Sequence, residues 1–178
     1  MKRKKVRYEK TVLFLIVFIV IVTISFLYIF GIYVQPALVP IPELSTEGFT
    51  EVLIGLNTTD DMGYIYLEGG CYELSMIINK AQAESIEGGI MGIIQTRPNT
   101  HDLVKDMLKN LKANILMIKI VELKDDAYHA RLILRKDNLI LSLDSRPSDA
   151  IAIAARTEYT IPIYVNESLL KSYGSKIC

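Results

Sequence analysis

Two junctions in this 178-residue chain gather the residue types that handle a phosphate or a divalent cation: Arg97-Pro98-Asn99-Thr100-His101-Asp102 and Arg146-Pro147-Ser148-Asp149. In each, an Arg-Pro pair precedes a hydroxyl or amide side chain able to cap a helix, and an aspartate follows in the first helical turn. Proline near the first helical position, a Ser, Thr or Asn cap and an acid at the positive helix end are ordinary start signals, so capping accounts for much of the pattern. Capping does not call for an arginine before both prolines, or for a histidine beside Asp102. Unpaired N–H groups at a helix start, with Arg97 or Arg146 and the Ser148 hydroxyl, make an anion site of phosphate size. Alternatively the aspartates there, Asp102 and Asp149, could hold a divalent cation that activates water against a phosphodiester. On the residues alone, capping and chemistry both stay open.

Other signals are weaker. The chain has no Gly-rich phosphate loop, no paired-cysteine zinc motif and no Gly-x-Ser-x-Gly elbow. His129 alternates along a strand and reads as a surface or edge residue. Tyr64, Tyr66 and Tyr72 pack on strands more readily than they stack bases. Cys71 and Cys178 match no metal spacing, and two cysteines so far apart in sequence do not establish a disulfide.

The elements that must position these junctions are legible in outline. Three strands, 50–57, 63–68 and 71–78, are joined through Thr58-Thr59-Asp60-Asp61 and the hairpin signal Gly69-Gly70. A helix starts at Lys80 and is expected to run to Ile94, weakened by Gly88-Gly89. A second, 101–111, carries an apolar stripe of Leu103, Val104, Met107, Leu108 and Leu111, with Asn99 or Thr100 as cap. Strands follow at 114–123, 128–134 and 139–144, where Ile118 and Ile120 alternating with Lys119 suggest one covered face. An apolar helix at 147–156 should be buried, a strand spans 161–165, and Asn166 caps a last helix through Tyr173. Runs of strands without strict βα alternation predict an α+β domain with an antiparallel or mixed sheet.

Upstream of that domain the composition changes. Residues 11–34 contain no charged side chain, and at ~1.5 Å per residue they are long enough to cross a ~30 Å hydrocarbon core. A secretory signal fits less well, because its apolar region is shorter and ends at a small-x-small site. Residues 1–10 hold six basic residues against Glu9, a charge of +5 that predicts a cytoplasmic tail and a domain outside the cell membrane. Residues 35–48, rich in proline, read as a stiff linker, which leaves 49–178 as the domain on a single-pass anchor. Since the whole chain is neutral, residues 11–178 carry −5, and an acidic domain lacks the basic field that usually draws nucleic acid.

The stretch Leu143 to Ala154 (LDSRPSDAIAIA) resembles the Asp-x-Arg-Pro-Ser-Asp-Ala-Ile-Ala-x-Ala signature of the bifunctional nuclease domain family. Arg97-Pro98-Asn99-Thr100-His101-Asp102-Leu103 is similar to that family's Arg-Pro-x-Thr-His-Asp-Leu, and the Pro162-Ile163-Tyr164-Val165 that follows also agrees. The resemblance covers residues 50–171 or so and implies the DNase and RNase activity attributed to some plant members. The positions matching its motifs are Arg97, His101, Asp102, Asp144, Arg146, Ser148 and Asp149; with the resemblance, Asp102, Asp144 and Asp149 are expected to bind Mg²⁺ or Mn²⁺ and His101 to assist proton transfer. One position departs, since Gln82 stands where the family commonly has glutamate, and an amide cannot take a proton at neutral pH. The expectation is a membrane-anchored nuclease acting on DNA or RNA. The alternative is a tethered binding or interaction module without chemistry.

Overall fold

The computed structural model describes residues 14–28, 41–93 and 96–178. Residues 14–28 are helical (α1), with every side chain exposed. Among the described residues no helix is long and apolar enough to cross a membrane. The described part of the expected span, 15 residues, reaches only about 22 Å; its remainder, 11–13 and 29–34, lies outside the described residues, as do residues 1–10 and most of the linker. The domain forms a separate compact unit, Ile41–Cys178.

After a 3-10 turn at Pro42–Leu44, the domain runs β1 (Phe49–Thr58), β2 (Met62–Gly69), β3 (Tyr72–Asn79), α2 (Lys80–Ile90), α3 (Thr100–Asn110), β4 (Ala113–Lys124), β5 (Ala127–Lys136), β6 (Leu139–Ser145), α4 (Pro147–Ala154), β7 (Ile163–Asn166), α5 (Glu167–Tyr173) and β8 (Ser175–Lys176). The expected order holds, with boundaries shifted by a few residues and β8 added. The strands make one mixed sheet in the order β6-β5-β4-β7-β1-β2-β3-β8. Each ladder is antiparallel except β4 with β7.

The β2–β3 turn falls one residue later than Gly69-Gly70 suggests. Gly70 and Cys71 both adopt positive φ, 56° and 67°, as a two-residue hairpin of the primed type requires. Cys71 at this turn forms a disulfide with Cys178, with the Cα atoms 5.3 Å apart. The bridge sits beside β8, which pairs with β3.

Alternation on β2 and β3 buries Ile65, Leu67, Leu74 and Met76, and on β4 it buries Ile118 and Ile120. Against this face pack α2 and α4, and α3 lies on α4 and β4. The expected single covered face of β4 needs correction, because Lys119 is buried as well. Its ammonium donates to the carbonyls of Glu43 and Ser45 and lies 5.0 Å from the Phe49 ring centroid, so the segment entering the domain covers that face locally. The stripe on α3 is only half used. Val104 and Leu108 pack against the core, whereas Leu103, Met107 and Leu111 are more than half exposed.

Candidate functional site

The starts of α2, α3 and α4 converge, and side-chain hydrogen bonds join them. At α2 the Asn79 side chain accepts from the Gln82 N–H at 2.9 Å, and Gln82 Oε1 accepts from the Asn79 N–H at 3.1 Å, which closes a capping box. The other end of the Gln82 amide donates to Ser148 Oγ on α4 at 3.0 Å. At α3 the cap is Asn99, whose Oδ1 accepts from the N–H groups of His101 and Asp102 at 2.9 and 3.0 Å. Asp102 Oδ2 accepts from the Asn99 N–H at 2.8 Å and completes a second box. At α4, Arg146 is the cap residue but makes no side-chain cap bond. Its guanidinium instead holds Asp149, with Nε 2.8 Å from Oδ2.

Between these helix starts lies the contact that brings the two sequence junctions together, His101 Nε2 at 3.5 Å from Asp149 Oδ1. On the other side of the ring, His101 Nδ1 is 2.8 Å from Ser85 Oγ. Behind Ser85 stands Arg156, with a side chain only 8% exposed. It donates to Asp102 Oδ1 at 2.5 Å, to the Ser85 and Ala152 carbonyls at 2.9 and 2.6 Å, and to Ser85 Oγ at 3.2 Å. Burial acts to raise the Asp102 carboxyl, but the Arg156 hydrogen bond, the Asn99 N–H and the charges of Arg156 and His101 outweigh it and hold it below the usual carboxylate value.

The expected site residues therefore divide. His101, Asp149 and Arg146 meet at one mouth, with the Arg146 side chain 71% exposed. Asp102 adjoins them but faces inward, both oxygens committed to Arg156 and the Asn99 N–H. Ser148 is buried and bonded to Gln82, so its hydroxyl joins α2 to α4 and does not face a ligand. Arg97 is exposed and forms no hydrogen bond or ion pair among the described residues. Asp144 turns elsewhere, to Arg131 Nη1 at 3.5 Å and His129 Nδ1 at 3.9 Å. The three aspartates expected to share a cation thus have separate partners. Among the described residues, no group of three or more His, Cys, Asp or Glu is arranged to hold a metal ion, so this donor set does not fit a divalent cation as it stands.

Sequence reasoning missed Ser85 and Arg156. Ser85 lies three residues after Gln82 on the same helix, the spacing that puts two side chains on one face. Arg156 follows an apolar helix, where a basic residue ordinarily does no more than complement the helix end. Its signal was Gly89, where a Cβ would come 2.8 Å from Arg156 Nη1, so the glycine in α2 is the space the guanidinium occupies.

A family model for the bifunctional nuclease domain matches residues 67–177, which contain every residue of this network. The chain belongs to the bifunctional nuclease domain family. Relatives include an uncharacterized protein of Mycobacterium tuberculosis, 34% identical over 101 residues that make up 57% of this chain and 58% of that protein. Two plant proteins named bifunctional nuclease 1 also match, one from Oryza sativa subsp. japonica at 31% identity over 62% of this chain and 34% of the rice protein. The other, from Arabidopsis thaliana, is 30% identical over 58% of this chain and 32% of its own length. The matched segment thus spans less than two thirds of each of these relatives. In this bifunctional nuclease domain Gln82 links two helices, because Oε1 closes the α2 capping box as an acceptor while Nε2 reaches Ser148 as a donor.

Proposed function

We propose that this bifunctional nuclease domain hydrolyses phosphodiester bonds of DNA or RNA at the mouth formed by His101, Asp149 and Arg146. The observation that carries the reading is the 3.5 Å contact between His101 Nε2 and Asp149 Oδ1, an acid–base pair assembled from two distant motifs. In the proposed step Asp149 takes the proton of the attacking water. As water oxygen bonds to phosphorus, the P–O bond to the leaving oxygen breaks; the neutral His101 Nε2–H donates a hydrogen bond to that oxygen, and Asp149 passes to it the proton taken from water. Arg146 uses Nε and Nη2 on Asp149 and has further N–H groups for a phosphate oxygen, and the exposed Arg97, two residues before the α3 cap, adds a second cation on the approach. The names of the plant relatives support nucleic acid as the substrate class.

The deciding experiment follows cleavage of labelled single- and double-stranded DNA and RNA by the full chain in detergent, with and without EDTA, beside Asp149→Asn. Cleavage that Asp149→Asn abolishes supports the reading, and its loss in EDTA would return a cation to the site. Intact substrates under every condition would favour the second reading, a tethered binding module, which the −5 domain and the inward-facing Asp102 and Ser148 also suit.

The location we propose is a single-pass anchor over residues 11–34 with residues 1–10 in the cytoplasm and the domain outside. Support comes from the +5 charge of residues 1–10, the uncharged block and the exposed apolar side chains of α1, which call for apolar surroundings. The Cys71–Cys178 disulfide adds a separate reason, because such bonds persist in oxidising compartments. Protease added to intact cells should remove the domain, and full protection would overturn the orientation.

A further inference from the structure

The hydroxyl of Ser85 sits among partners that leave its proton one direction to take. Arg156 Nη2 donates to Ser85 Oγ at 3.2 Å, and a guanidinium offers no acceptor. Asn99 Nδ2 donates to the same oxygen at 3.3 Å. The orientation of that amide is fixed from its other end, since Asn99 Oδ1 accepts from two backbone N–H groups. Two donors fill the two lone pairs of the Ser85 oxygen. Its own proton must therefore point to the remaining neighbour, His101 Nδ1, at 2.8 Å. That nitrogen accepts, so in the neutral ring the proton is on Nε2, the atom facing the Asp149 carboxylate. The same tautomer places the ring N–H on the side of Asp149 Oδ1, 3.5 Å away.

We infer that Ser85 is a positioning residue that holds His101 as the Nε2–H tautomer and so aims a hydrogen-bond donor at the mouth between α3 and α4. Its consequence for cleavage rests on the hydrolytic reading above; the tautomer itself does not. Without Ser85, Nδ1 loses its hydrogen-bond donor, and the ring is free to carry its proton on either nitrogen.

The test is long-range ¹H–¹⁵N correlation of the histidine rings in the ¹⁵N-labelled full chain, at a pH about two units above the ordinary histidine value near 6.5. His129→Gln assigns the signals, since the chain has only two histidines. The parent is expected to show a protonated-type Nε2 and an unprotonated-type Nδ1. In Ser85→Ala the two nitrogens should move toward averaged shifts, and Ser85→Thr, which keeps the hydroxyl, should restore the parent pattern. In cleavage assays Ser85→Ala should lower kcat roughly ten- to a hundredfold with little change in KM, part of the ~10²–10⁴ a positioned acid or base contributes. A parent ring protonated on Nδ1, or ring shifts unchanged in Ser85→Ala, would overturn the inference. The parent spectrum decides the first point even where a variant fails to fold. A confirmed tautomer in a protein that cleaves neither DNA nor RNA would leave the inference standing and remove the hydrolytic reading.

Discussion

Arg156 donates its Nε–H to Asp102 Oδ1 at 2.5 Å and so ties the residues just beyond α4 to the first turn of α3. Because Asp102 is held below its ordinary value of 3.8, the folded state binds the proton less readily than the unfolded chain does. The contribution of Asp102 is therefore fully present above the unfolded value and is lost as pH falls through the lower folded value. Asp102→Asn should be less stable than the parent by about 3 kcal/mol near neutrality, the low end for breaking a largely buried pair, and the gap should close below the ordinary carboxylate range. Urea unfolding of both proteins across that acid range checks this. A gap that does not change with pH would mean that the carboxylate charge is not what stabilises the junction.

Adjacent glycines in α2 should respond in opposite senses to alanine. A Cβ at Gly88 meets nothing within 4 Å, so Gly88→Ala should stabilise by up to about 1 kcal/mol through helix propensity alone. At Gly89 the same atom would lie 2.8 Å from Arg156 Nη1 and 3.0 Å from Ala155 Cβ, so Gly89→Ala should destabilise despite the better propensity. Thermal melts of the two variants decide the sign. Equal stabilisation by both would show that Arg156 does not need the space.

Both junctions can be read from the sequence because their chemistry is local: the Arg-Pro pairs, the Asn99 cap and the aspartates fall within one helical turn of each start. That His101 meets Asp149 is foreseeable only as proximity of two motifs, and the contact depends on α3 packing against α4. Asp102 is misjudged from sequence for a physical reason. Its partner Arg156 comes from beyond the far end of α4, and no local pattern links the two. Asp144 is grouped with Asp149 because both fall in the one family signature, yet it lies on β6 and faces Arg131 across the β5–β6 ladder. The disulfide escapes for the same reason as Arg156, since Cys178 reaches the β2–β3 turn through the pairing of β8 with β3, which no local pattern announces.

Reduction of that disulfide should destabilise the domain measurably. It links residues 107 apart in sequence, for which loop-closure entropy gives about 4–5 kcal/mol. The full chain should therefore unfold at lower urea in the presence of a thiol reductant, and Cys178→Ser should behave like the reduced parent with or without it. Identical midpoints for oxidised and reduced parent would show that β8 is held to β3 without help from the bridge.

Asp149 is where stability and chemistry separate most cleanly. It does not cap α4, and its partner Arg146 is 71% exposed, an ion pair of the kind worth about 0–1 kcal/mol. Asp149→Asn nearly preserves the shape of the side chain, so the fold should lose no more than about 1 kcal/mol, including the weakened interaction with the helix dipole. If the carboxylate takes the proton of the attacking water, the same variant should lower cleavage by about 10²–10⁴, and His101→Gln should do likewise by displacing the ring N–H that hydrogen-bonds the leaving oxygen. The double variant should then fall little below either single one, because two groups acting in one step do not add. Asp144→Asn serves as the control. It removes a carboxylate that the sequence places in a cation-binding set, but one paired with Arg131 and His129, and should cleave at the parental rate. Parental rates for Asp149→Asn and His101→Gln, or a loss of orders of magnitude for Asp144→Asn, would move the chemistry away from the mouth between α3 and α4.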